Sequence, residues 1–376
     1  MKFAIDLQPA LMTRAGIGQY TYSLAKHLSR LSPSDEFVGL AFGRGGDLDG
    51  LKAPNFRIRR VGYVPRRAMN LLWKKIDWPP ADAFTGPIDL FHFTSFIARP
   101  LRAAKAVVTI HDLAFKRMPE SSERKNAAFL NRHVPRALDR AALVLVDSKF
   151  TASELAGLYG YPEDKTRVIP LGVEESFYPR PADEFSRQCR QYGIPQKFIL
   201  CVSTVEPRKN IGTLLEAYGL LRDTADEAPK LVIVGGRGWR GEDEKIELTI
   251  EKLKLQGMVK RLGYVSREAM PAIYSAALFF VFPSLYEGFG LPPLEAMACG
   301  LPVICSNAPS LPEVVGDAAL LIPPRDAARM AGEMRKLIDD EALRQELIKK
   351  GLARAKRFTW SDTARLTLDA YREAMG

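Results

Sequence analysis

Leu278-Phe-Phe-Val-Phe-Pro-Ser-Leu-Tyr-Glu-Gly-Phe-Gly-Leu-Pro-Pro-Leu-Glu-Ala-Met-Ala-Cys-Gly300 reads as a strand, a loop and a helix in succession. The apolar run that opens it suits a strand buried on both faces. Pro292 and Pro293 fit the first turn of a helix, where proline's missing N–H leaves nothing unpaired. Between them Gly288-Phe-Gly290 forms a loop whose bare backbone can approach an anion at a helix N-terminus. Strand–loop–helix is the repeating element of a parallel sheet covered by helices.

Working outward, the same alternation recurs along the chain. In the first half it predicts strands at Lys2–Leu7, Phe37–Phe42, Phe56–Val61, Leu90–Phe93, Ala106–Ile110, Leu143–Asp147 and Arg167–Ile169. In the second half it predicts strands at Phe198–Val202, Lys230–Val234, Val259–Leu262, Leu278–Phe282, Pro302–Cys305 and Ala319–Leu321. Each half therefore reads as its own doubly wound α/β unit. The polar stretch Val173–Asp183, with Pro170, Pro179 and Pro181 in and around it, reads as the linker. Phe358–Met375 is a terminal helix with Thr359 or Ser361 as its N-cap.

A chain of 376 residues, 47% hydrophobic and 26% charged, has the balance of a globular protein with two cores. No apolar run approaches the roughly 18–20 residues needed to span a bilayer. Met1-Lys-Phe-Ala-Ile-Asp-Leu7 reads as a first strand, not a leader peptide. Cys189, Cys201, Cys299 and Cys305 lack C-x-x-C pairing, which argues against a zinc site or disulfide framework and fits a reducing cytoplasm. Residues 1–185 carry 27 Lys and Arg against 20 Asp and Glu, and the remainder carries 27 against 24. That excess suits an anionic partner, whether nucleic acid, phospholipid headgroup or phosphorylated substrate.

The chemistry centres on Glu287 and Glu295, one before the glycine loop and one about a turn into the helix. Each carboxylate can accept hydrogen bonds from vicinal hydroxyls, one pair on a sugar and one on a ribose. Aimed at phosphate they would be repelled. The plain alternative is a capped helix with solvated acids, and the glycines and prolines between the two weigh against it. Thr204-Val-Glu-Pro-Arg-Lys-Asn210 follows another strand, so Arg208 and Lys209 stand where open α/β sheets bind ligands. Two adjacent cations suit a diphosphate and the charge growing on it as it leaves.

Weaker signals come from four other segments. Gly16 and Gly18 lie in the loop after the first strand and let it approach a ligand, although ordinary turns use glycine as often. His111 ends the strand in Val108-Thr-Ile-His-Asp-Leu113 and can donate hydrogen bonds, or be structural. Gly236, Gly238 and Gly241 satisfy G-x-G-x-x-G, but Glu242-Asp-Glu244 would fill the positive helix end that a dinucleotide needs. From Arg57 to Lys75 there are seven basic residues and no acid, and Met69, Leu72, Trp73 and Ile76 share a helical stripe with Trp78 just beyond. That stripe suits an anionic bilayer or the core.

Taken together, these segments resemble glycosyltransferase family 4, whose members have the GT-B fold. The resemblance is carried by Glu206-Pro-Arg-Lys-Asn210, by Glu287–Glu295 and by Ala296-Met-Ala-Cys-Gly-Leu-Pro-Val303. Echoes lie at Gly16–Gly18, Thr109–Leu113, Ser148-Lys-Phe-Thr151 and Val168-Ile-Pro-Leu-Gly-Val173. It implies two Rossmann-like domains facing each other across a cleft: an acceptor domain over 1–183, a nucleotide-sugar domain over 184–357, and a last helix over 358–376 that crosses back to the first. It implies that Arg208 and Lys209 contact the donor diphosphate and that Glu287 meets the sugar near its reacting carbon. His111 would approach that sugar from the N-terminal domain, completing the catalytic set. Glu295 would hold the ribose. Gly288, Phe289, Gly290 and Leu291 would offer backbone N–H groups to sugar and phosphate, and Gly263, Tyr264 and Val265 their backbone to the base. Gly16 and Gly18 would border the donor.

The resemblance further implies catalysis with no cofactor and no metal, in line with the lack of a D-x-D near the candidate site. Its flavour is of bacterial mannosyltransferase-like enzymes of surface polysaccharide synthesis. The expected reaction is retaining hexosyl transfer, from GDP-mannose rather than UDP-sugars, to a glycan on a polyprenyl diphosphate. The expected place is the cytoplasm or the inner face of the plasma membrane, with anionic lipid but no nucleic acid as a contact. A GT-B epimerase or hydrolase on the same donor, and a non-catalytic membrane or nucleic-acid module, are the alternatives.

Overall fold

The protein is described from a computed structural model covering residues 1–12, 16–43, 47–62, 66–224, 227–236, 238 and 241–376, without the side chains of Arg66, Arg67 and Asn70. It divides into two compact units. The first comprises Met1–Arg117, Arg124–Gly172 and Thr359–Gly376, and the second comprises Met118–Glu123 and Val173–Phe358.

The first unit carries β1 (Lys2–Asp6), β2 (Glu36–Phe42), β3 (Phe56–Val61), β4 (Leu90–Phe93), β5 (Lys105–Ile110), β6 (Leu143–Val146) and β7 (Thr166–Val168). They lie in the order β3-β2-β1-β4-β5-β6-β7, every pair parallel. The second carries β8 (Phe198–Val202), β9 (Lys230–Val234), β10 (Val259–Gly263), β11 (Phe279–Phe282), β12 (Val303–Ser306) and β13 (Ala319–Ile322). Their order is β10-β9-β8-β11-β12-β13, again all parallel. Central strands such as Leu143-Val-Leu-Val146 and Phe279-Phe-Val-Phe282 are buried throughout, as parallel strands covered on both faces must be. Truncating one of those phenylalanines to alanine would cost about 3–5 kcal/mol.

In both sheets the strand order reverses once, between β1 and β4 and between β8 and β11. The loops at the carboxyl ends of those strands therefore splay apart, which is where such sheets hold ligands.

The sequence reading ends the first domain at residue 183, but Val173 and the residues after it group with the second unit. The stretch is strapped down there. The Val173 N–H donates to the Phe358 carbonyl (2.9 Å), the Arg180 N–H to the Ser275 hydroxyl (3.0 Å), and the Phe177 ring meets Tyr274 at 6.0 Å. The terminal helix Trp360–Met375, capped by the Thr359 hydroxyl, belongs to the first unit. Thr363 donates to the Pro170 carbonyl (2.8 Å), Arg167 pairs with Glu373, and Tyr371 packs on Phe3. Gly172 is a fixed point of that packing, because a Cβ there would overlap the Trp360 backbone.

Candidate active site

In the second unit, the loops after β8 and β11 are stitched together before any charge is considered. A single 3-10 turn, Pro207–Lys209, leads to Asn210 in the left-handed region (φ 57°). Its amide donates to the carbonyls of Pro283 (3.0 Å) and Pro324 (2.5 Å) and its oxygen accepts from the Thr213 hydroxyl (2.8 Å). The Leu285 N–H donates to the Arg208 carbonyl at 2.7 Å. This turn aims two cations at one carboxylate.

Lys209 Nζ donates to Glu287 Oε1 at 2.6 Å and Arg208 Nη1 to Glu287 Oε2 at 3.2 Å. Arg208 Nε donates to Glu206 Oε2 (2.9 Å), and Glu206 Oε1 accepts from the Thr204 hydroxyl (2.6 Å). Lys209, Glu287 and Glu206 are buried, at 9%, 7% and 9% exposure. Burial alone would raise the Glu287 carboxyl, but Lys209 and Arg208 outweigh it and hold its pKa below the ordinary value. Glu206 was not singled out in the sequence. With it the cluster has two cations and two carboxylates, so it is balanced within itself.

The glycine loop follows. The Ser310 hydroxyl donates to the Glu287 carbonyl (2.9 Å), fixing the loop from below. Gly290 stands at φ 106° with Leu311 where a Cβ would be, so only glycine fits. Helix Leu291–Ala298 starts there with prolines in its first turn. Among the described residues the N–H groups of Phe289 and Gly290 have no acceptor. Glu295, 6% exposed, accepts from Arg267 Nη2 (2.9 Å) and the Tyr274 hydroxyl (3.2 Å). Arg267 also donates to Glu174 (3.2 Å) and lies over the Phe177 ring at 4.8 Å. Burial pulls the Arg267 pKa down, and Glu295 and Glu174 more than restore it, so it is raised. Gly263 ends β10, two strands from β8 in the sheet, and Tyr264 and Val265 follow it; Gly263 is left-handed and its carbonyl accepts from the Gly235 N–H, while the Tyr264 side chain is exposed.

The first unit holds the other named residues. Gly16 (φ 51°) precedes helix Ile17–Leu31, whose first turn includes Gly18; residues 13–15 of that loop lie outside the described residues. The helix brings the Tyr20 ring edge-on to His111, 4.7 Å between centroids. His111 Nδ1 lies 2.7 Å from Asp147 Oδ2 and Nε2 lies 2.9 Å from the Thr94 carbonyl. The Thr94 carbonyl can only accept, so Nε2–H donates to it; with Asp147 ionised Nδ1–H donates as well, and the ring is then an imidazolium. Burial disfavours that charge, but Asp147 overcomes it and the pKa is raised. Both ring nitrogens are thus engaged. Behind it, His92 bonds the Tyr371 hydroxyl through Nδ1 (2.7 Å) and the Thr109 hydroxyl through Nε2 (2.7 Å), and Thr109 meets the Tyr20 hydroxyl (2.9 Å). Asp147, Thr94, Tyr20 and His92 were not foreseen. Asp147 closes an apolar strand, which was the one available signal.

The remaining segments resolve differently. Gly238 donates its N–H to Asp243 (2.9 Å), so the acid following the glycines satisfies the loop itself; Arg237, Trp239 and Arg240 lie outside the described residues. In helix Arg66–Lys75, Met69 and Trp73 are buried in the core with Leu72 packed beside them. Ile76, read as part of that stripe, is instead exposed, as are Leu71 and Trp78. Residues 63–65 of the basic stretch lie outside the described residues. Among the described residues no helix is long and apolar enough to cross a membrane.

Residues 14–177 match the family described as Glycosyltransferase Family 4, and residues 185–354 match Glycosyl transferases group 1. The O-antigen chain mannosyltransferase B of Escherichia coli is 34% identical over 383 residues, spanning 99% of this chain and 100% of that protein. Sucrose-phosphate synthase from Thermosynechococcus elongatus shares the fold at a TM-score of 0.76 and 23% identity, covering 99% of this chain and 98% of that one. Anabaena HepE, solved with UDP and glucose, does so at 0.75 and 19%, covering 98% of each chain. Matched along its length by these sequences and built of two parallel-sheet α/β units of the GT-B kind, the chain belongs to glycosyltransferase family 4.

Proposed function

We propose that the chain moves a hexose, mannose from GDP-mannose in preference to UDP-sugars, with retention onto a glycan carried on a lipid diphosphate. The observation that carries this reading is the pair Arg208 and Lys209 held on Glu287 where the strand order of the second unit reverses. The full-length similarity to an O-antigen mannosyltransferase supports the choice of sugar and of acceptor class.

In this reading the donor diphosphate takes Arg208 and Lys209 from their carboxylates. The two cations then stabilise the charge that grows on the diphosphate as it leaves. Glu287, ionised because its pKa is low, is released to accept from sugar hydroxyls near the reacting carbon. Glu295 makes the matching exchange from Arg267 to a ribose. Phe289 and Gly290 donate backbone N–H groups to the donor, and Gly263–Val265 meets the base. The His111 imidazolium adds fixed positive charge near the sugar, and Gly16 and Gly18 border it. The diphosphate departs on the face that the acceptor hydroxyl attacks, which retains configuration. Arg208 and Lys209 supply the charge without a metal, so activity survives EDTA. Leu71, Ile76 and Trp78, exposed beside Lys74 and Lys75, give the first unit a peripheral contact with anionic lipid at the cytoplasmic face.

The test supplies labelled GDP-mannose or UDP-glucose with a synthetic glycan on an alkyl diphosphate, with EDTA, in anionic vesicles. Label from GDP-mannose should appear on the acceptor as the α-anomer, and Ile76→Ser should reduce co-sedimentation with the vesicles. Free mannose or an epimerised sugar with the acceptor unchanged would make the protein a hydrolase or epimerase. No donor consumption at all would remove the enzymatic reading.

A further inference from the structure

Ser310, in the second unit, stands in a backbone conformation that disfavours a side chain, with φ 72° and ψ −34°. At positive φ a Cβ crowds the neighbouring peptide, so glycine, asparagine and aspartate fill most such positions. A serine placed before a helix ordinarily turns its hydroxyl onto that helix's first N–H groups. Ser310 precedes helix Leu311–Val315 and does not cap it. Its buried hydroxyl goes instead to the Glu287 carbonyl (2.9 Å) and, at longer reach, to the Phe289 carbonyl (3.4 Å). Backbone strain kept beside the loop that holds Glu287 points to a task for that hydroxyl.

The task follows from where the carbonyls of this loop go. The Asn210 amide donates to that of Pro283 (3.0 Å), the Ser306 hydroxyl to that of Ser284 (2.5 Å), and Arg208 Nη1 to that of Tyr286 (3.2 Å). Ser310 takes those of Glu287 and Phe289. In a planar trans peptide the C=O of one residue and the N–H of the next point opposite ways. Holding the Phe289 carbonyl therefore turns the Gly290 N–H away from Ser310, and that N–H has no acceptor among the described residues. Gly290, at φ 106°, has no side chain to resist rotation of this peptide, so the hold must come from outside. Leu311 adds to it: its Cδ2 lies 2.4 Å from where a Gly290 Cβ would stand. The grip on the Glu287 carbonyl also fixes the backbone from which the Glu287 carboxylate reaches Lys209 (2.6 Å).

We infer that Ser310 is a positioning residue for the transfer: its hydroxyl holds the Phe289–Gly290 peptide so that the Gly290 N–H meets an oxygen of the donor's diphosphate. Assignment of that oxygen to the donor rests on the reading above; the aimed N–H does not. Ser310 touches no substrate and acts through the peptide it holds. An N–H fixed in advance needs no reorientation as charge grows on the leaving diphosphate, whereas a freely turning peptide does.

Amide resonances test this directly. Carbon-13 in the phenylalanine carbonyls with nitrogen-15 in the glycines selects Phe–Gly peptides, and the chain has two, Phe42-Gly43 and Phe289-Gly290. Gly43 lies in the first unit, donates to the Val61 carbonyl (3.1 Å) and serves as the control. GDP should move the Gly290 amide proton downfield in the wild type and leave Gly43 in place. In Ser310→Ala and Ser310→Gly that movement should shrink by more than about half, and mannose transfer should slow about tenfold to a hundredfold. The two variants separate the hold from the strain. Glycine accepts φ 72° without a Cβ, so Ser310→Gly should melt above Ser310→Ala while both stay slow. Turnover that recovers with melting temperature in Ser310→Gly would make Ser310 a packing residue and overturn the proposal. So would a Gly290 signal unmoved by both GDP and UDP, or moved equally with and without the hydroxyl. If UDP moves it through Ser310 and GDP does not, the donor named above is wrong and Ser310 keeps its role. If GDP moves it through Ser310 but no sugar is transferred, the transfer reading fails and the aimed N–H stands as a diphosphate-binding group.

Discussion

The two units reverse their strand order in the same way and fill the reversal with different electrostatics. In the second, the loops after β8 and β11 bring Arg208 and Lys209 against Glu287 and Glu206, a set whose charges cancel. In the first, His111 is locked between Asp147 and the Thr94 carbonyl. A shared topology places the loops, and the loops decide the chemistry. A balanced cluster can exchange partners when a diphosphate arrives. A locked imidazolium cannot, and serves as fixed charge.

The widest break in this comparison should come from the second unit. Lys209→Ala and Glu287→Gln should each reduce turnover by about 10²–10³-fold, the scale of losing one preorganised charge at a developing anion. Glu287→Gln also leaves Lys209 buried without its carboxylate, so a lower melting temperature is expected with it. Circular dichroism should show both variants folded. Near-normal turnover in either one would mean that the cluster is structural.

A smaller break comes from the first unit. Asp147→Asn removes the charge that raises the His111 pKa, so turnover should fall about tenfold to a hundredfold and its alkaline limb should move to lower pH. A variant with lower turnover but an unmoved pH profile would make Asp147 only a packing residue. The stability signs follow the same groups. His111 is raised above its ordinary 6.5, so its contribution is full below that pH and is lost as pH rises through the folded value. His92 is pushed down to about 3, by burial and then by the charge of His111, so its contribution is lost as pH falls from 6.5 toward 3. Glu287 is lowered from 4.5, so the second unit loses its contribution only as pH falls below that value.

Some of this was legible in the sequence. The central strands could be read because parallel strands buried on both faces are unbroken apolar runs, whereas the edge strands Phe56–Val61, Thr166–Val168 and Val259–Gly263 carry charges and are only partly buried. Glu287 was picked out by the glycines and prolines that mark a strand-to-helix loop, and Arg208 and Lys209 by their place after a strand; the structure brings the three together. Glu206 was not, since an acid beside an arginine reads as ordinary surface charge. Arg267 and its two carboxylates were hidden by distance, Glu174 lying 93 positions away and Glu295 28. The 173–183 stretch misled because prolines and charges look alike in a loose linker and in a strap. His92 and Tyr371 are 279 positions apart, and only the folded helix joins them.

That last contact offers the finest test of the comparison. Tyr371→Phe keeps the ring that packs on Phe3 and removes only the hydroxyl bonded to His92. His92 is fully buried, so its Nδ1 would be left without a partner, at a cost of about 1–3 kcal/mol. Thermal unfolding should register this as a loss of roughly 2–10 °C for a unit of this size. GDP affinity, a property of the second unit in the proposed scheme, should not change. The His111 pH profile should shift slightly, since His92, Thr109 and Tyr20 connect Tyr371 to that ring. If GDP affinity instead falls together with stability, the two reversals are coupled, and the contrast between a responsive unit and a fixed one is wrong.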